Sequence, residues 1–369
     1  MSETAELPRV EKRIVYLDQF AVSNMAKSLM GDGRATGKEL RAWRGLFSRL
    51  DYLVRLQLVA CPYSSIQVFE SMVAPHLEHA ILRVMRRLSG ELSFIERPQF
   101  EQRLLESGAL AWLRGASVAR SLPPLDAMLN GDRTAWLGRF SLSMRSDWHH
   151  DQIEHVRVAR DEGERDLAGV FERWRRDRPP FEPVFHEEAM NLGPSMARSL
   201  NRRLRREAMF GPPTNSPFLR PPSAAEHDLT LLFERFLREG LSLRAASERV
   251  AEFVQSEVQL EMPSNRLRAM LLASVAREAA NGAKRPPNRG TLSDIAAVSL
   301  FLPYCDAMLV DNKVAALLRS QRLAKEVGRY RCRVFSWRSR DFLVAWLHEI
   351  EQQASQAHIE LARSVYAGL

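Results

Sequence analysis

Two periodicities run along this chain, and the change from one to the other divides it. Arg13-Ile14-Val15-Tyr16-Leu17 is a β-rich run closed abruptly by Asp18, the pattern of a first buried strand. Phe20 to Leu29 follows at helical spacing, and Gly31-Asp32-Gly33 marks a turn. Leu40, Trp43, Leu46, Phe47, Leu50, Leu53 and Val54 recur on one face between Lys38 and Leu56, which predicts an amphipathic helix. Leu58-Val59-Ala60-Cys61, closed by Pro62, reads as a second buried strand. Ser64 or Ser65 can cap the next helix, which carries Val68, Phe69 and Glu70. Strand, helix and strand in this order predict a parallel sheet.

From about Glu91 to Glu261 the strand signal vanishes. Helical patterns occupy Gln99–Leu113, Asp151–Arg176, His186–Met209, Ala225–Arg238 and Leu243–Leu260. Their breaks are proline pairs: Pro123-Pro124, Pro179-Pro180, Pro212-Pro213 and Pro221-Pro222. No repeat period links them. Another helix, Asn265–Ala280, precedes the stretch from Gly290 to Asn312. There Thr291 or Ser293 can cap a helix beginning near Asp294, Pro303 stops its apolar run, and Ala307-Met308-Leu309-Val310 reads as a buried strand ending at Asp311. A last strand, Arg331–Phe335, and a final amphipathic helix from Asp341 complete the pattern. The expected fold is α/β: residues 1–90 and 262–369 form a discontinuous domain with a small parallel sheet, and 91–261 is a large, mostly helical insertion.

Composition narrows the class. The 369 residues suffice for a sizeable core, and 45% hydrophobic with 27% charged residues fits neither a disordered nor a membrane-spanning chain. The apolar runs are too short to cross a bilayer, and MSETAELPRVEKR lacks a signal-peptide core, so a cytoplasmic location is expected. Cys61, Cys305 and Cys332 are scattered in apolar surroundings, as reduced core residues are. A formal charge of +8 shifts expectation toward an anionic partner, above all nucleic acid.

The acids carry the chemistry. In an open parallel sheet the functional crevice lies at the carboxyl ends of the strands. Asp18 follows the first strand, Asp311 follows the strand after Asp306, Glu70 lies on the helix after the second strand, and Asp294 opens the helix feeding the Asp311 strand. Brought together without a counter-charge, four carboxylates raise one another's pKa. Mg²⁺ or Mn²⁺ relieves that and suits oxygen ligands. Such a site can hold a phosphodiester and activate water. Asp306, at the opposite end of its strand, is expected to cap or to bond a loop. His76-Leu77-Glu78-His79 and His149-His150-Asp151 lack zinc-site spacing, and Trp148 and Trp174 read as core. No phosphate-binding glycine loop or dinucleotide fingerprint is present.

VYLD at Val15–Asp18, PYSSIQVFE at Pro62–Glu70, SDIAAV at Ser293–Val298 and MLVD at Met308–Asp311 together resemble the PIN-like nuclease family. The resemblance implies a three-layer α/β/α fold and a divalent metal held by Asp18, Glu70, Asp294 and Asp311. It also implies an endoribonuclease activity, with RNA favoured over DNA. It covers both ends of the chain, with no counterpart for the helical middle. Gln19 stands where many members carry Asn shortly after the first acid, and Val310 where Thr or Ser is common. Lys313, and the run Arg202, Arg203, Arg205 and Arg206 on a predicted helix, are the candidate phosphate contacts. A DNA or structure-selective nuclease is the neighbouring alternative, and a catalytically weak RNA-binding or protein-interaction scaffold the alternative of another class. The helical segment leaves room for a homodimer contact or an inhibitor protein such as an antitoxin.

Overall fold

The computed structural model describes residues 7–31, 37–138, 150–191, 193–194, 224–284, 286–287 and 290–366. It is an α/β structure with a four-stranded parallel sheet. β1 is Arg13–Leu17, β2 Val59–Ala60, β5 Ala307–Leu309 and β6 Arg333–Phe335, in the order β2-β1-β5-β6. A second, antiparallel pair joins β3, Ser93–Phe94, to β4, Leu129–Asn130. This pair corrects the expectation of no strand between Glu91 and Glu261. Two residues per strand are too few for any alternation to show in sequence.

β1 past Arg13, β2 and β5 are buried on both faces, which is why they read as continuous apolar runs. On one face Val15, Leu17, Ala307, Leu309 and Phe335 pack into a core with α1 (Gln19–Met30), α2 (Gly37–Arg55), α4 (Pro75–Ser89) and the Arg340–Gln353 helix. On the other, the Tyr16 ring lies 5.2 Å from Phe301 and 6.3 Å from Phe94, and Phe94 stacks on Phe301 at 4.3 Å. Gly90 ends α4 at φ 62°, and a Cβ there would come within 3.3 Å of the Ala60 side chain on β2.

Register is held at the amino edge by Asp306. Its Oδ2 accepts the Ile14 N–H at 2.8 Å, its Oδ1 pairs with Arg13 at 3.1 Å, and its own N–H donates to Ile14 O. The expected structural role of this acid is what the geometry displays.

The chain packs as two units. The first comprises Met1–Arg97, Pro124–Ala168 and Pro287–Leu369; the second, Pro98–Pro123 and Gly169–Pro286. The split therefore differs from the sequence reading: 124–168 goes with the sheet, and the Pro263–Ala280 helix goes with the helical unit. That helical unit has its own core of Leu232, Phe236, Phe253 and Met262 among others. The sequence boundaries follow the loss and return of the strand signal, which does not report how segments pack. No described helix is long and apolar enough to cross a membrane.

Three local expectations also change. The helix before Asp294 begins at Thr291 with Gly290 as its N-cap, so neither Thr291 nor Ser293 caps it. The carboxy-terminal helix is two, Arg340–Gln353 and Gln356–Val365, because Ser355 caps a new start. The Phe181–Ala189 helix begins before His186, while Arg202, Arg203, Arg205, Arg206 and Trp148 lie outside the described residues. Trp174 is buried, and all three cysteines are buried and unpaired, as expected.

Candidate acidic site

The chain leaves β1 toward β2 on one side, and β5 leads to β6 on the other. The switch point therefore lies between β1 and β5, the place where open α/β sheets form their crevice. Asp18 and Asp311 follow those two strands.

Asp18 joins strand to helix without a loop. Its N–H extends the ladder by donating to Leu309 O at 2.9 Å, and its Oδ1 accepts the Gln19 N–H at 2.7 Å as the N-cap of α1. Its residue surface is 6% exposed. Asp311 does the same after β5: Oδ1 accepts the Val314 N–H at 2.6 Å and caps the Asn312–Leu318 helix. The Asp311 backbone favours the charged form of the Asp18 carboxylate while the Asp311 charge opposes it, so the two acids are electrostatically coupled.

Glu70 is delivered by α3 (Ser65–Met72). Ser64 and Gln67 form a reciprocal capping box at its start. The buried Gln67 side chain also reaches the sheet, where its Nε2 donates to Leu17 O at 2.6 Å, at the end of β1. Gln19 Nε2 adds a bond to Ser71 Oγ at 3.1 Å. Two polar tethers, one on each side of Glu70 in sequence, thus hold α3 to the β1–α1 junction. Sequence reading found Ser64 as a cap but not Gln67; its capping-box spacing, three residues on, was the signal available. Asp294 lies in the first turn of the Thr291–Phe301 helix.

All four acids are in electrostatic contact. Burial, then the Glu70 and Asp311 charges, raise the Asp18 carboxyl from 3.8 to about 7. Burial, then Asp18, Asp311 and Glu70, raise Asp294 to about 9, with exposed Lys313 opposing. The structure thus brings Asp18, Glu70, Asp294 and Asp311 into one field, with Lys313 beside it and Asp306 at the far edge. Among the described residues, however, no three His, Cys, Asp or Glu side chains are gathered as a ready ligand set, those of the His76–His79 stretch included. The four acids repel while sharing a site. Their donors are all carboxylate oxygens, which fit a hard divalent cation and no soft one. No family model, curated protein or solved structure matches the chain.

The raised pKa values predict a pH dependence of stability. Between its ordinary and its raised pKa, such a carboxyl binds more protons folded than unfolded, so stability falls as pH rises. The window runs from about 4 to about 7 for Asp18 and to about 9 for Asp294. Thermal melts in EDTA should therefore fall in midpoint from pH 5 to 9, and Asp294→Asn should flatten the decline between pH 7 and 9. An unchanged slope in that variant would show that Asp294 is not held protonated by this site.

Proposed function

We propose that the chain is a divalent-metal-dependent nuclease acting on RNA phosphodiesters, with a three-layer PIN-like arrangement around its sheet. One observation carries the reading: four carboxylates from four separate elements lie within electrostatic range at the carboxyl edge of a parallel sheet, where burial and the neighbouring acids raise the proton affinity of Asp18 and Asp294. Asp18 and Asp311 are the central ligands in this reading, and Glu70 and Asp294 complete the set or orient water. Bound Mg²⁺ or Mn²⁺ would supply the positive charge that polarises a phosphoryl oxygen and lowers the pKa of water.

The chain's own residues do the positioning. The N-caps fix where Asp18 and Asp311 leave their strands. Gln67 and Gln19 set the distance of α3, and so of Glu70, from the end of β1. Lys313 brings a positive charge toward an acidic centre that would otherwise repel a phosphate.

The test is cleavage of labelled single-stranded RNA and DNA with Mg²⁺ or Mn²⁺, against an EDTA control. RNA cleavage lost in EDTA supports the reading. Preference for DNA would transfer it to the neighbouring alternative. Folded protein that cuts neither, with no metal-induced rise in melting temperature, would leave the scaffold as the better reading.

A further inference from the structure

We propose that the turn after β6, with the start of the helix after β5, forms a phosphate-binding subsite for the nucleic-acid backbone flanking the phosphodiester at the acids. The inference rests on the nuclease reading and adds where the substrate strand runs.

Sheet order is the starting point. Along the carboxyl edge, the elements after β2, β1 and β5 present Glu70, Asp18 and Asp311. The element after β6 presents Arg338 and Arg340 instead. Parallel pairing of Leu309 with Phe335, continued by Val310 N–H to Phe335 O at 3.0 Å, makes β5 and β6 leave the sheet together. The Arg338 N–H then donates to Asn312 Oδ1 at 3.3 Å, one residue past Asp311. The backbone segments that carry the acid and the arginine therefore leave the sheet side by side, about 5 Å apart, one strand spacing.

The turn is rigid. Ser336 and Ser339 cap each other reciprocally. The Trp337 ring stacks on Trp43 at 3.7 Å and 11°, and the Arg340 guanidinium lies over that ring at 4.8 Å. An indole so engaged is an anchor, not a platform for a base. Arg319, on the segment after Lys313, reaches across to Ser339 Oγ at 3.1 Å. Lys313, Arg319 and Arg338 are exposed, and none has an ion-pair partner among the described residues. Arg340, by contrast, has Asp341 at 3.7 Å. Cations on a braced backbone, without an ion-pair partner and adjoining an acidic centre, suit the phosphates on either side of the one being cut, because the backbone that carries them need not reorder on binding.

The experiment measures binding of a short fluorescein-labelled oligouridylate across a range of salt, and cleavage of the same oligomer, for the full chain. The variants are Lys313→Ala, Arg319→Ala and Arg338→Ala. Binding is read in an Asp311→Asn background so that the probe survives. Each lost phosphate contact should flatten the plot of log affinity against log salt by about 0.7, and weaken binding about five-fold at 0.1 M salt. KM should rise and kcat hold, since these cations lie beside the reacting atoms. Wild type that cleaves, with all three variants unchanged in slope and KM, overturns the subsite and leaves the nuclease standing. Salt-dependent binding lost in the variants, without cleavage by the wild type under any metal, keeps the subsite and overturns the nuclease. No binding at all overturns both.

Discussion

Asp311→Asn should lower metal-dependent RNA cleavage by about a thousand-fold while leaving the protein folded. The variant is informative because Asp311 has two jobs that Asn separates. As the N-cap of the Asn312–Leu318 helix it accepts the Val314 N–H, and Asn caps a helix as well as Asp does. As a charge it attracts a cation, which Asn does not. A bound cation contributes several kcal/mol to a phosphoryl transition state, and about 1.4 kcal/mol is a factor of ten in rate. Asp18→Asn should behave alike, since its cap on Gln19 is also one an amide oxygen can make. Both variants should melt no lower than wild type in EDTA, because each removes a like charge from a crowded site. Asp306→Asn is the control: it belongs to the other edge of the sheet, and its rate should stay within a few-fold of wild type. Cleavage by Asp311→Asn and Asp18→Asn within a few-fold of wild type would remove these acids from the reaction.

Gln67→Met should destabilise the sheet-bearing unit by about 2–5 kcal/mol, a large fraction of a domain's stability. The substitution keeps volume but removes three bonds at once, one of them the longer Ser64 Oγ–Oε1 contact at 3.3 Å. Leu17 O loses the Nε2 donor at 2.6 Å and Ser64 N–H loses the Oε1 acceptor at 2.9 Å, both in buried surroundings. Each orphaned buried group carries a penalty of about 1–3 kcal/mol. Denaturant titration should move the midpoint of the sheet unit's transition. Under conditions where the variant is still folded, cleavage should fall too, because α3 then holds Glu70 less firmly against the end of β1. A stability change under about 0.5 kcal/mol would mean that the Gln67 tether is replaced as soon as it is cut.

Much of this was legible in the sequence, for reasons of burial. Strands covered on both faces are uniformly apolar, so Ile14–Leu17 and Ala307–Leu309 stood out, and the acid closing each run marked the carboxyl edge. Asp306 was separable from Asp311 because a three-residue strand places its two ends at opposite edges. Long amphipathic helices such as Gly37–Arg55 were visible from their stripe. What escaped notice was short, polar or set by tertiary packing. β3 and β4 are two residues each, and Gln67 looks like any helical Gln until the Leu17 carbonyl is found beside it. Arg338 reads as an ordinary surface cation, since only the β5–β6 pairing places it beside Asn312, one residue past Asp311. The first unit's claim on 124–168 depends on contacts such as the Lys12 ammonium on Ala135 O at 2.7 Å, far apart in sequence.

The pairing of Ile14 with Asp306 also sets a clock. The two residues are 292 positions apart, yet they are adjacent in the sheet. During synthesis at 5–20 residues per second, roughly 15–60 s separate their appearance. For most of that interval β1 and β2 both exist, with an open edge where β5 will later dock. Asp18 and Glu70 are made early in it, Asp294 only near its end and Asp311 just after. In the nuclease reading, the growing chain is harmless to the message being translated until its last strands emerge. Ribosome-bound chains halted before Asp294 should leave RNA intact, and cleavage by such chains would show that two acids suffice.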